Sequence, residues 1–238
     1  MFRKSCALLA LLVATAGVAE AGEAVAEFAK VSSVREISRL LKDQVQTGTL
    51  LVSEGDCLAV RAYTQSPYTH VGAVVIRNGQ PFVYDACKSS GVRCLTLANY
   101  LTSQIDTEVH VLQPSKRLTE DGAGRFARRL DSQLGRPYSV RHHLTGETVD
   151  GVHCSEYVCD ALAHCRLLKV RKAANVSPAS LVLGVTRSGV YSPAKTVRVV
   201  SQEVKEPRAA TWYGRLWQDT KTCTASCYQQ SRAWFTCD

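Results

Sequence analysis

The stretch Gly151-Val152-His153-Cys154-Ser155-Glu156-Tyr157 puts a cysteine where a glycine-containing loop gives way to a helix, whose Tyr157, Val158, Ala161, Leu162 and Cys165 share one face. At a helix start the backbone N–H groups lack intrahelical acceptors and the positive end of the dipole is exposed. Both effects lower the pKa of a thiol, and the same amides can hold an oxyanion. Cys154 is therefore a candidate nucleophile, although taken alone the position suits a disulfide partner equally well. A catalytic thiolate also needs an imidazole. Among the histidines, His70 stands at the head of the apolar run His70-Val71-Gly72-Ala73-Val74-Val75-Ile76, where a polar side chain can face a cleft while the strand holds it rigid. The next run ends Val83-Tyr84-Asp85-Ala86, and Asn78-Gly79 between the two is a hairpin turn that folds Asp85 back towards His70. An Asp that accepts the imidazole N–H fixes its tautomer and orientation. His153 adjoins Cys154, but neighbouring helix positions do not face one another. It and Tyr138 are read as groups lining the substrate cleft.

Elements of two periods must position these groups. Val34, Ile37, Leu40, Leu41 and Val45 form a helical stripe within residues 25–45. Short β-branched runs at 58–62, 71–76, 82–84, 92–95 and 109–112 predict strands, and the tight turns between neighbours predict an antiparallel meander. Thr119, followed by Glu120 and Asp121, predicts an N-cap; Ala123, Phe126, Ala127, Leu130 and Leu134 keep the helical period up to Gly135, and Pro137 bars continuation. Ser177-Pro178 opens a short turn of helix, and residues 197–200 form a last strand. The expected fold class is α+β: a single domain with an antiparallel sheet packed against helices on one side. The expected organisation is a signal peptide at 1–21, an N-terminal helix within 22–49, a catalytic domain at 50–200 and a tail rich in cysteine and aromatic residues at 201–238.

Arg3 and Lys4 precede an apolar run at 7–18 and the small-residue site Ala19-Glu20-Ala21, which predicts cleavage after Ala21 and a secreted or periplasmic protein. That run is too short to span a membrane and no later one approaches the length, so no transmembrane anchor is expected. The 238-residue chain has a formal net charge of +8, which favours encounters with cell-wall polymers or acidic lipid head groups. The motifs of nucleic-acid recognition are missing, and no nucleic-acid partner is expected. Of ten cysteines, Cys6 leaves with the leader. The odd remainder, Cys57, Cys87, Cys94, Cys154, Cys159, Cys165, Cys223, Cys227 and Cys237, predicts up to four disulfides and one leftover thiol, with Cys87 and Cys94 flanking a glycine-containing turn. No Cys/His spacing matches a zinc site, and neither metal nor cofactor is expected. Cys57 reads as a bridged or buried cysteine, Glu156 as a dipole-stabilising first-turn carboxylate, His142 and His143 as an exposed loop, and Lys169, Arg171 and Lys172 as a solvated face. In the tail, Trp212, Tyr213, Trp217, Trp234 and Phe235 interleave with three cysteines, as a bridged extension or a carbohydrate-binding patch would.

The chain resembles the permuted papain-like enzymes of the NlpC-like superfamily, in the YiiX/YebB/YaeF branch. The likeness runs, in order, through Gly55-Asp56, Thr69-His70-Val71-Gly72, Tyr84-Asp85-Ala86, Gly135-Arg136-Pro137-Tyr138, His153-Cys154-Ser155-Glu156 and Ser177-Pro178-Ala179-Ser180-Leu181. It implies a papain-like fold in which the histidine precedes the cysteine along the chain, with Cys154 as nucleophile and His70 as base. The branch commonly carries Glu where this chain has Asp85, and the shorter carboxylate must come closer to make the same bond. Members act as amidases, cell-wall peptidases or acyl transferases. The function expected here is a secreted cysteine hydrolase that cleaves an amide or ester bond through Cys154, His70 and Asp85, on a cell-wall peptide, an N-acyl amide or a lipid. A lipid acyl transferase and an inactive binding module on the same fold are the rival readings.

Overall fold

The computed structural model describes residues 33–54, 61, 64–105, 107–145, 149–199, 211–214, 216, 217 and 220. The expected signal peptide, Cys57, the expected strand at 58–62 apart from Arg61, and the cysteines and aromatic residues beyond 220 lie outside them.

In chain order the elements are α1 (Val34–Lys42), β1 (Leu50–Glu54), β2 (His70–Arg77), β3 (Gln80–Cys87), β4 (Gly91–Thr96), α2 (Leu97–Thr102), β5 (Glu108–Pro114), α3 (Glu120–Asp131), α4 (Arg141–Thr145), α5 (Cys154–His164), a 3₁₀ turn (Ala173–Asn175), α6 (Pro178–Arg187) and β6 (Tyr191–Arg198). The strands pair antiparallel in the order β4-β3-β2-β1-β5-β6. The expected meander therefore holds for β2 to β4; β1, a strand not expected from the sequence, flanks β2 on the other side, and β5 pairs with the far side of β1. Asn78 and Gly79 both have positive φ, at 49° and 71°, as the two-residue turn between β2 and β3 requires.

Helices cover both faces of the sheet, not one as expected. Leu50, Val52, Val71, Ala73, Val75, Tyr84 and Ala86 pack with α3, α5 and α6. The alternate positions Leu51, Val74, Val83, Val109, Val111 and Val197 pack with Ile37 and Leu41 of α1 and with Leu97, Tyr100 and Leu101 of α2. This two-sided burial explains why β1 escapes a search for alternation. Leu50, Leu51 and Val52 are all fully buried, and a strand covered on both faces reads as a continuous apolar run. The six-residue α2, capped by Thr96, is too short to display a helical period. Thr119 caps α3 as expected, its hydroxyl accepting from Gly122 N at 3.1 Å. That helix stops at Asp131, one turn before Gly135, which leaves Leu134 exposed; Leu40 of α1 likewise lies off the buried stripe. The short turn expected at Ser177-Pro178 is a ten-residue helix, and the last strand starts at Tyr191, well before residue 197.

Candidate active site

Helix α5 starts at Cys154 because His153 ends the extended chain before it. His153 has φ −99° and ψ 167°, and its Nδ1 accepts from Glu156 N at 3.3 Å, the work usually done by Ser, Thr, Asp or Asn. Its Nε2–H donates to the Ala174 carbonyl at 2.9 Å, and Ser155 Oγ–H donates to the Val176 carbonyl at 2.6 Å. The helix start is thus pinned to the 3₁₀ turn. His143 Nδ1–H reaches the same Ala174 carbonyl at 2.8 Å from α4, a short helix where an exposed loop was expected. On the other side Val152 N donates to Pro137 O at 3.0 Å and Ser139 N to Val152 O at 3.1 Å. A Cβ on Gly151 would lie 2.4 Å from Ser139 Cβ, so only glycine lets these two strands of loop close. The Arg136-Pro137-Tyr138 segment is the strut that holds the residues preceding Cys154.

His153 does not line a cleft: it is buried and both its ring nitrogens serve protein partners. Tyr138 is half-buried and packs against the cluster that contains Cys154. Burial first, then the charges of Cys154 and Cys87, push its hydroxyl pKa up.

Asp85 and His70 meet at the end of the sheet. His70 Nε2 lies 2.9 Å from Asp85 Oδ2. The hairpin brings them together by register: Ala73 pairs with Tyr84, so Asp85 falls opposite Gly72, and His70, two residues along the same face, is its diagonal neighbour. The shorter side chain of Asp therefore reaches its partner. Helix α5 packs across β2 and β3, bringing the Cys154 thiol to the same imidazole. With Nε2 engaged by Asp85, Nδ1 is the ring nitrogen left for sulfur. Burial pushes the imidazole pKa down, but the hydrogen bonds with Asp85 and then Cys154 outweigh it and bring it to about 10. Burial likewise pushes the thiol up, and hydrogen bonding and charge from His153 and His70 outweigh it, giving about 6. His70, backed by the buried Asp85 carboxylate at 2.9 Å, is the histidine suited to take the thiol proton, while His153 is committed to capping the helix.

Two further residues escape a sequence reading. Arg93, directly opposite Asp85 on β4, grips the carboxylate with Nε at 2.8 Å from Oδ1 and Nη2 at 3.1 Å from Oδ2. Asp85 is fully buried, and a buried carboxylate stays ionised only when answered by charge and hydrogen bonds. Burial raises its pKa, while His70 and then Arg93 bring it below the ordinary value. The signal was present in the cross-strand register of the Gly91 turn, which sequence alone leaves open. Tyr100, from α2, stacks under His70 with ring centroids 6.3 Å apart. It fits because Gly72 has no side chain: a Cβ there would come within 2.8 Å of Val83 Cγ1 and 3.1 Å of the Tyr100 ring.

Cys87, Cys94, Cys154, Cys159 and Cys165 are free thiols, so the four-bridge expectation fails among the described residues. Cys87 pairs with Gly91 and Cys94 with Tyr84, positions that do not oppose each other. Among the described residues one group, Glu54, Glu108 and His110, brings metal-binding atom types within 4.8 Å of one another. His110 is already held between Glu54 at 2.8 Å and Thr196 at 3.0 Å, so the group stands as a hydrogen-bonded polar patch.

A thiol at a helix start, an imidazole at the head of an earlier strand and a carboxylate at the end of its hairpin partner define the arrangement of a permuted papain-like protein. The family model described as permuted papain-like amidase enzyme, YaeF/YiiX, C92 family, matches residues 44–206. The chain belongs to this family. A crystal structure of the metalloprotein YiiX from Escherichia coli O157:H7 is similar, with 22% identity and a TM-score of 0.44, over 67% of this chain and 91% of that one. None of the curated proteins matches the chain.

Proposed function

We propose that the protein is an exported cysteine amidase that works through an acyl-enzyme. The Cys154 thiolate attacks the carbonyl carbon of an amide or ester. The amides of Cys154 and Ser155 receive the oxyanion, since the cap occupies Glu156 N and Tyr157 N already donates to His153 O at 3.0 Å. The His70 imidazolium gives its proton to the leaving amine or alcohol, and a water activated by the same imidazole releases the acyl group and restores the thiol. Asp85 accepts from Nε2–H throughout and keeps Nδ1 turned to sulfur. The observation that carries this reading is the 2.9 Å contact of His70 with buried Asp85 beside an unbridged helix-start thiol. Cell-wall peptides and N-acyl amides are the substrate classes in view, and the leader at residues 1–21 sends the enzyme to them outside the cytoplasm. The test is Cys154→Ala: hydrolysis of peptidoglycan peptides or acyl amides, followed by mass spectrometry, is expected to vanish while the melting temperature stays near wild type. Undiminished turnover by that variant would refute the proposal.

A further inference from the structure

Charge in this protein is segregated. Between Asp160 and Glu203 the chain has no acidic residue, yet it carries Arg166, Lys169, Arg171, Lys172, Arg187, Lys195 and Arg198. Part of this stretch walls a cavity of about 490 Å³ between the segment that follows α5 and helix α6. That volume falls within the roughly 300–1,000 Å³ typical of small-molecule sites. Its floor is apolar: Leu168, Val170 and Val176 are half-buried and Leu181 is buried. Lys169, Arg171 and Lys172 form the rim, all exposed, and among the described residues no hydrogen bond or ion pair engages their side chains. The solvated face expected from the sequence is therefore also the mouth of an apolar groove.

An apolar floor under unanswered cations matches one kind of ligand, an acyl chain joined to an anionic head group. We infer that this groove binds the acyl chain of an anionic lipid at a bilayer surface, with Lys169, Arg171 and Lys172 on its head group. Cationic residues are drawn to acidic leaflets. The bilayer as source agrees with Trp212, Tyr213 and Trp217, which stay 62–72% exposed and are of the type enriched at lipid interfaces. The groove also abuts the catalytic helix. Val176, in its wall, accepts from Ser155, the residue after Cys154. The inference concerns binding alone and stands or falls apart from the proposed chemistry.

The test uses the full-length protein with Cys154→Ala, so that no lipid is turned over, and co-sedimentation with vesicles. Binding is expected to equimolar phosphatidylcholine and phosphatidylglycerol and not to phosphatidylcholine alone. Gly184→Trp fills the groove, since a Cβ at Gly184 meets nothing within 4 Å; Ser180→Phe fills it from the same helix. Each, like the Lys169→Glu, Arg171→Glu, Lys172→Glu triple variant, is expected to weaken vesicle binding by about tenfold or more. Monomeric dioctanoyl phosphatidylglycerol is expected to compete, and inorganic phosphate at the same concentration is not. This competition is read on unsubstituted groove residues, so it decides the matter even if a filling variant fails to fold. Vesicle binding untouched by folded filling variants, competition by phosphate alone, or binding of a DNA duplex in place of vesicles would each overturn the inference.

Discussion

Cys154 and His70 titrate as a pair, and their shifts set the pH window of the proposed chemistry. The thiol, held at about 6, is ionised above that pH, and the imidazolium, held at about 10, persists below that one. Activity that needs both is expected to rise through an acidic limb near pH 6 and fall through an alkaline limb near pH 10, read from kcat/KM against pH. Asp85 is among the groups that raise the His70 pKa, so Asp85→Asn is expected to move the alkaline limb to lower pH. Arg93 acts one step further out. Removing it leaves Asp85 buried with half its partners, so Arg93→Met is expected to destabilise the fold by on the order of 3 kcal/mol, seen as a fall in the denaturation midpoint. Kinetics on the same variant are expected to show kcat/KM reduced by about tenfold, with Arg93→Lys recovering only part because an ammonium cannot reproduce the two-pronged contact. The histidine, the aspartate and the cysteine were legible because each sits at a recognisable boundary: a strand head, a strand end, a helix start. Arg93 and Tyr100 were not, since nothing local marks an arginine as the cross-strand partner of a particular carboxylate. His153 was misread because its neighbour in sequence, not its own surroundings, suggested a role; it caps the helix.

The elements that matter most are the β2–β3 hairpin and the first turn of α5. The hairpin was legible from Asn78-Gly79, because a two-residue turn fixes register and register fixes which side chains meet. What the turn does not specify is the third layer. Helix α2 presses Tyr100 onto the strand at Gly72 and so backs the imidazole. Gly72→Ala adds a methyl group where Val83 and Tyr100 leave no room, at an overpacking cost of about 1–3 kcal/mol. A lower denaturation midpoint together with a reduced kcat is the expected result, because the ring that supports His70 must shift. Thr119 and Ser177 were readable as caps by type, and each does accept from an amide three residues on; Ser33, within the stretch read as helix, caps α1 in the same way. The end of α3 was misplaced by one turn, since Leu134 continues the apolar period beyond the point where the backbone stops being helical.

For the whole molecule, the sheet is a middle layer with a core on each side, and the groups proposed for catalysis gather at one end of it. β6, last in the chain, closes the edge beside β5, and Tyr191 Oη–H donates to the Gly48 carbonyl at 2.7 Å, joining the two ends of the family domain. The proposal of export belongs to the chain as a whole and is argued from the basic, apolar and small-residue pattern of residues 1–21. Mass spectrometry of protein recovered outside the cytoplasm is expected to give Gly22 as its first residue; an intact Met1 there would contradict it. Local order along the chain was enough to single out the three groups proposed for catalysis and the antiparallel hairpin that pairs two of them, because those depend on turns and helix starts a few residues long. The second helical layer, the central place of β1, the clamp from Arg93, the cap by His153 and the basic groove beside α6 were decided only by tertiary structure. Each is a contact between segments far apart in sequence, and such contacts exist only once burial has chosen which apolar faces close on one another.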